Sequence, residues 1–279
     1  ELLDEGNTVP FIARYRKEVT GSLNDEVLRK LDERLKYLRN LEERKAQVLA
    51  TIEEQGQLIE ELRAAIEAAP TLVMVEDLYR PYRPKRRTRA TMAKEKGLEP
   101  LADLIWDQKT AVPLLEEAAK YISEEKGIAS AQDALNGAKD ILAERISDCA
   151  DYRIYIRDLT MREGVLKVSG KEGVESVYEM YYNYEEPVKK AAGHRILAIN
   201  RGEKEKFLTV SVEAPEERVL RYLEKKVIRR NNPQTSPVLQ ETVEDSYHRL
   251  IAPAIEREVR SALTEKAEEG AIQVFGKNL

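Results

Sequence analysis

A mainly α-helical fold is what this sequence predicts, and three observations carry that expectation. Apolar residues recur at three- and four-residue spacing over several long stretches, the mark of helices with one buried side. Charged residues make up 35% of the chain against 6% aromatics, a balance that suits long solvated helices better than a β-sandwich. Only residues 194–212 offer two apolar, β-branched runs on either side of a polar turn. The expected architecture is a multi-helix assembly with long helices, a helix-turn-helix-like bundle and one small β-hairpin. A length of 279 residues allows one large or two ordinary domains. A boundary near Lys109-Thr110 is expected to separate a helix-turn-helix-like region (1–109) from a second helical region (110–279).

Each element has its own warrant. Thr8 is placed to cap a short helix that opens at Pro10, a favoured first-turn position. Arg14, Tyr15, Arg16 and Lys17 on it either extend a basic surface or pair with nearby acid. Asn24 caps a long helix to about Gln55, whose apolar side runs through Val27, Leu28, Leu31, Leu35, Leu38 and Leu41 and resumes at Val48, Leu49 and Ile52. The stripe breaks at Glu42-Glu43-Arg44-Lys45, which argues against a continuous dimeric coiled coil. With the stripe in the core, Leu31→Ala and Leu35→Ala should each cost roughly 2–5 kcal/mol. Gly56 then punctuates, and Leu58 to Ala68 forms a second amphipathic helix ending before Pro70. Helix, glycine turn, helix is the helix-turn-helix pattern. Its second helix carries Glu60, Glu61 and Glu67 against Arg63, however, which is the wrong charge for a groove lined with phosphates. The shape is expected without DNA reading.

Further along, residues 98–108 and 113–126 read as short helices, with Trp106 in the core. Residues 129–163 read as another long helix marked by Ala134, Leu135, Ala138, Ile141, Leu142 and Ile146, with Cys149 as a small buried residue near its middle. Tyr178, Tyr181, Tyr182 and Tyr184 cluster before Pro187; on one helical face such rings can stack bases, but a place in the core with hydroxyls at the rim is the expectation. Residues 195–199 and 207–212 flank Gly202 as the two hairpin strands. Pro215 opens a helix to about Arg230. A last helix runs from Pro237 to about Glu269, with Pro253 inside it expected to interrupt the hydrogen-bond ladder and bend it.

Charge is distributed unevenly. Residues 79–97 hold eight Lys/Arg and one Glu, 8 − 1 = +7, in a chain whose total is −5, so the rest sums to −12. That concentration makes a local anion site of Arg80, Arg83, Lys85, Arg86, Arg87, Arg89, Lys94 and Lys96. Pro81 and Pro84 keep its start extended and stiff, and Tyr79 and Tyr82 set rings beside guanidinium groups. Planar cations with aromatic faces suit phosphates and unstacked bases. The competing reading is an ionic clasp onto the protein's own acid. A second cationic stripe, Arg218, Arg221, Lys225 and Arg229, follows one side of the helix after Pro215; a solvated face diluted by Glu216, Glu217 and Glu224 explains it equally.

The basic segment also carries a resemblance. Asn7-Thr8-Val9-Pro10-Phe11-Ile12-Ala13-Arg14-Tyr15-Arg16-Lys17-Glu18-Val19-Thr20-Gly21 is one block. Pro84-Lys85-Arg86-Arg87-Thr88-Arg89-Ala90 with Glu95-Lys96-Gly97-Leu98-Glu99-Pro100-Leu101-Ala102 is another. Tyr178 to Pro187 and Val274-Phe275-Gly276-Lys277-Asn278-Leu279 are weaker echoes. In that order, over nearly the whole length, they resemble the Tex family of prokaryotic transcription accessory proteins, relatives of a eukaryotic transcription elongation factor. The resemblance implies further domains after this stretch: an RNase-H-like domain, a helix-hairpin-helix region and an RNA-binding, S1-type OB-fold. With no start Met at Glu1, the chain reads as an N-terminal portion of such a protein.

Chemistry is sparse in this portion. His194 and His248 lie far apart without metal-ligand spacing, and one Cys excludes a thiolate zinc site. No phosphate-cradling glycine loop and no nucleophile elbow is present. The expectation is no catalytic residue, no metal and no cofactor. The single Cys fits a reducing compartment, no run approaches the ~18 apolar residues of a membrane span, and the protein is expected in the cytoplasm without a membrane partner. The function expected is a non-catalytic, nucleic-acid-associated scaffold module of a transcription accessory protein, binding RNA or DNA weakly and without sequence preference. The alternative is a protein–protein interaction platform, docking the remaining domains of the same protein or the transcription machinery, with the basic arm as an internal clasp.

Overall fold

A computed structural model of the protein describes residues 1–277. About two thirds of them are helical, and the strands form one three-stranded antiparallel sheet, so the fold is mainly α. Two compact units divide the chain between Tyr82 and Arg83.

In the first unit, α1 (Val9–Tyr15) and α2 (Lys17–Thr20) precede the long α3 (Asp25–Glu54), followed by α4 (Glu60–Ala68) and α5 (Leu72–Tyr79). Thr8 accepts from the Phe11 N–H and Asn24 from the Val27 N–H, so both expected caps are formed. Gly56 follows the end of α3 with φ +68°, a left-handed turn that glycine adopts without a Cβ penalty, and the chain then leads into α4. Val9, Ile12 and Leu28 join α1 to α3. A larger cluster of Leu41, Val48, Ile52, Ile66, Ala69, Val75 and Tyr79 packs α3, α4 and α5 together. The stripe of α3 is therefore not core throughout. Leu31 is exposed and Leu35 half-buried, because α4 and α5 cover only the C-terminal half of the helix. Truncating those two leucines therefore removes less buried surface than a core stripe would lose, and costs less than expected.

The second unit is built on α9 (Ala131–Ser147). Against it pack α6 (Arg89–Glu95), α7 (Glu99–Asp107) and α8 (Leu114–Ala119) from the N-terminal side. The expected boundary near Lys109-Thr110 lies between α7 and α8. Ala90 and Ala93 bring α6 close to α9, where a Cβ on Gly137 would lie 2.4 Å from Leu98 Cδ1. The helix expected over 129–163 is two helices. It breaks at Asp148, and Cys149 caps α10 (Ala150–Glu163) instead of sitting mid-helix.

The expected hairpin at 194–212 is corrected. Residues Gly193–Lys204 form α11, in which Ile196 and Ile199 are buried at helical spacing; only Leu208–Glu213 is a strand, β3. It pairs with β1 (Val165–Gly170), which also pairs with β2 (Asn183–Pro187), in the order β2-β1-β3. A five-residue apolar run cannot fix its own period, and burial decided it. The tyrosine cluster is core, as expected, with Tyr178 and Tyr181 buried; but Tyr181 ends a short 3₁₀ turn and Tyr184 lies in β2, so they share no helical face.

After α12 (Glu216–Val227) come α13 (Ser236–Asp245), a π-helical turn at Ser246–Ile251 and α14 (Ala252–Lys277). The helix continues through Pro253. The wider turn just before it absorbs the disruption expected from the missing N–H. Among the described residues, no helix is long and apolar enough to cross a membrane.

Candidate nucleic-acid interface

The basic segment begins in the first unit as a 3₁₀ turn, Arg80–Tyr82, and continues in the second as an irregular stretch and α6. Thr88 caps α6 reciprocally with Thr91: its Oγ1 accepts from the Thr91 N–H at 3.1 Å, and Thr91 Oγ1 accepts from the Thr88 N–H at 2.7 Å. The same Thr88 hydroxyl donates to Glu144 Oε2 on α9 at 2.9 Å. With Ala90 and Ala93 turned onto α9, the remaining side of α6 presents its cations to water.

The eight cations have different fates. Lys85 is clasped, its Nζ donating to Glu144 Oε1 at 3.0 Å and to Asp148. Arg87 makes an exposed pair with Glu95 at 3.2 Å. Arg89 lies within electrostatic range of Asp140 and Asp245. Burial pushes the Asp140 carboxyl up, against the pull of Arg249 and Arg89, whereas the Arg249 guanidinium holds Asp245 down. Arg80 is half-buried in the first unit. Arg83, Arg86, Lys94 and Lys96 are exposed and make no ion pair among the described residues. The rings expected beside them are not available. Tyr79 is buried in the first unit's core with Arg44 5.3 Å above its ring, and Tyr82 is half-buried against the same core.

The second stripe is largely engaged within the protein. Arg218 pairs with Glu163, and Arg221 with Glu217 at 3.3 Å. Arg229 lies past the end of α12, donates to the Trp106 carbonyl at 2.6 Å and sits 5.6 Å over the Trp106 ring. Lys225 is exposed. Trp106 is half-buried at the margin of the core, where Arg145 also lies over its ring at 5.5 Å while pairing with Asp103 at 2.7 Å. Apart from Arg221 with Glu217, one helical turn away, these pairings run from 42 positions (Arg145 to Asp103) to 123 (Arg229 to Trp106), so no local pattern announced them. Lys85 with Glu144, and Gln108 with the chain after α12, are further examples.

The two histidines stand on different elements: His194 is exposed on α11, and His248 in the π-helical turn meets Glu216 at 2.7 Å.

Comparison with known proteins places the chain among relatives. The profile described as "Tex central region-like" matches residues 109–275, and that described as "Tex-like protein N-terminal domain" matches residues 1–53. The chain is 50% identical to "Uncharacterized protein YdcI" of Bacillus subtilis and 43% identical to "Transcriptional accessory protein Tex" of Neisseria gonorrhoeae. It is 31% identical to the human "S1 RNA-binding domain-containing protein 1". Each alignment covers 100% of this chain, but only 39%, 38% and 29% of the respective relative. The chain thus spans less than two fifths of the length of these relatives.

Proposed function

The chain belongs to the Tex-like protein family, and from that premise we propose that it works as a non-catalytic, nucleic-acid-associated module of a cytoplasmic transcription accessory protein. The observation that carries the reading is the exposed cationic face of residues 83–96, with Arg83, Arg86, Lys94 and Lys96 held on a capped helix and its approach, and not consumed by the protein's own acid. Such a face meets phosphates. Without an exposed ring from Tyr79 or Tyr82, it contacts the backbone and does not stack on bases, so its binding is weak and indifferent to sequence. The printed names of two relatives, one a transcriptional accessory protein and one an S1 RNA-binding protein, agree with a partner of this kind.

The second reading is the interaction platform, favoured by the clasp of Lys85 on Glu144 and Asp148. One experiment separates the two. Fluorescence anisotropy of the 279-residue chain is followed against labelled single- and double-stranded RNA and DNA over a salt series, beside a variant with Arg83, Arg86, Lys94 and Lys96 each changed to Gln. Phosphate contact predicts weaker binding to every sequence, with a log–log salt slope flattened by about 0.7–0.9 per lost contact and an unchanged Tm. No binding even at low salt overturns the nucleic-acid reading and leaves the platform, whereas binding that the variant retains overturns residues 83–96 as the contact. Tight, sequence-selective binding overturns the claim that the arm reads only backbone.

A further inference from the structure

Three half-buried tyrosines meet between α10 and α12. Tyr155 of α10 stacks on Tyr222 of α12 with ring centroids 3.7 Å apart, and Tyr152 meets Tyr222 edge-on at 6.1 Å. Tyr222 is also the centre of a cationic line. Arg218, Tyr222, Lys226 and Arg229 follow one another at steps of four, four and three, along one side of α12 and its extension. Lys226 stands 5.8 Å over the Tyr222 ring, and Arg229 lies within electrostatic range of Tyr152. The stripe as spaced in the sequence, through Arg221 and Lys225, contained no ring.

The acid of this region gathers at the far end of α12. Glu163 pairs with Arg218, Glu217 with Arg221 and Glu216 with His248, all about its first turns. From Lys225 to Ser236 the chain carries four cations, Lys225, Lys226, Arg229 and Arg230, and no acid. All four are exposed, and none has an ion pair among the described residues. Arg229 is held by a carbonyl and a ring, which leave its charge uncancelled. Against these four stand Glu224 and, beside Tyr152, Asp151. Over both helices and the loop, residues 150–163 and 216–236, there are nine Lys/Arg and six Asp/Glu, 9 − 6 = +3, in a chain of −5. The loop is fixed in place, because Gln108 Oε1 accepts from the N–H groups of Arg229 at 2.9 Å and Arg230 at 3.2 Å. Cations on a backbone already held lose less freedom when they meet an anion.

We propose that this strip binds single-stranded nucleic acid, with unstacked bases extending the Tyr155–Tyr222 ring stack and phosphates on Lys225, Lys226, Arg229 and Arg230. The proposal rests on the reading that the chain contacts nucleic acid, and supplies what the arm at 83–96 lacks, rings beside unpaired cations. A duplex keeps its bases stacked and paired, so it meets cations alone and gains nothing from the rings. An acidic peptide likewise leaves the rings unused.

The test follows anisotropy of the 279-residue chain with labelled probes roughly 15 nucleotides long. The probes are single-stranded RNA, single-stranded DNA, the same DNA as a duplex, and a DNA strand without bases. Single strands should bind more tightly than the duplex, and the abasic strand no better than the duplex. Lys226→Gln with Arg230→Gln, and separately Tyr155→Leu, should each weaken single strands by about fivefold or more and leave duplex affinity in place. Tm should hold in the exposed cation variant. Should Tyr155→Leu unfold the half-buried stack, the cation variant still decides. The fourfold Gln variant of the arm weakens duplex and single strands alike, so the ratio between them tells the two sites apart. Thiouridine-bearing RNA should photo-crosslink within residues 150–163 or 216–230. Equal affinity for all four probes, an unchanged ratio in the cation variant, or adducts confined to residues 83–96 overturn the strip and leave the arm. Poly-glutamate that displaces the strand at equal charge overturns it too, and assigns the strip to acidic protein. No binding of any probe overturns both the strip and the nucleic-acid reading.

Discussion

Leu31 and Leu41 share one helix and one stripe, yet the physics of truncating them differs. Leu41 is surrounded by α3–α5 side chains, so Leu41→Ala should cost about 2–5 kcal/mol in lost burial and cavity. Leu31→Ala should stay within about 0.5 kcal/mol. Urea midpoints of the two variants check the pair, and equal shifts would mean that the upper stripe is covered after all. Lys85 is the charged counterpart. Its clasp holds two carboxylates that are themselves mostly buried, so Lys85→Ala removes one charged partner from each of Glu144 and Asp148 and should cost about 1–3 kcal/mol. Arg86→Ala, at the very next residue but exposed, should leave the midpoint in place. A single basic segment thus contains a residue that serves the fold and residues left over for something else.

Between helices, the connection from α12 to α13 is held by two amides. Gln108 stands at the end of α7 with φ +60°, in the left-handed region, and is buried. Its Nε2 donates to the Val227 carbonyl at 2.8 Å, and its Oε1 accepts from the N–H groups of Arg229 at 2.9 Å and Arg230 at 3.2 Å. Asn232 donates back to the carbonyls of Gln108 at 3.2 Å and Thr110 at 2.9 Å. Backbone groups with no helix or sheet partner are satisfied by these side chains, which is the condition for a loop to lie against a core. Gln108→Ala should therefore accelerate amide exchange in residues 228–236 while α9 keeps its protection. Exchange that rises equally throughout the second unit would make Gln108 a general stability residue and not a latch. At the sheet's edge, Glu256 of α14 accepts from the Val212 N–H at 2.9 Å and closes one donor of β3 that would otherwise face out.

Across the whole molecule, the alkaline limit of stability follows from buried phenols. Burial pushes Tyr247 up to about 12 from its ordinary 10.0, and Tyr152 likewise to about 12. Both phenols are neutral in the folded and unfolded states below pH 10, so their contribution is complete there. Between about 10 and 12 the unfolded chain ionises first, and the contribution is lost as pH rises through that window. Tyr247→Phe should therefore lose less stability than the parent between pH 10 and 12, by on the order of 2 kcal/mol at the upper end, with a constant gap below pH 9. Parallel urea midpoints across the whole range would show that Tyr247 ionises freely and is not held neutral by the core.

Long helices, their caps at Thr8 and Asn24, the glycine turn at Gly56 and the concentration of charge at 79–97 were all determined by the sequence itself. Each depends on residues within a few positions of one another, and local sterics and spacing fix them. What the tertiary structure decided is wherever two distant segments compete for the same surface. Residues 195–199 became helix because Ile196 and Ile199 found a buried side, while Val165 to Ser169, which alternates, became the central strand between two partners remote in sequence. Lys85 was drawn to Glu144, Arg229 to Trp106 and Tyr79 into a core, so three members of the candidate cationic and aromatic set changed role through contacts that no window of sequence contains. The upper stretch of α3 is the reverse case: its pattern is legible, and only the structure shows that Val27, Leu31 and Leu38 are left exposed among the described residues. Burial is a property of pairs of surfaces, and a periodic stripe states only one member of the pair.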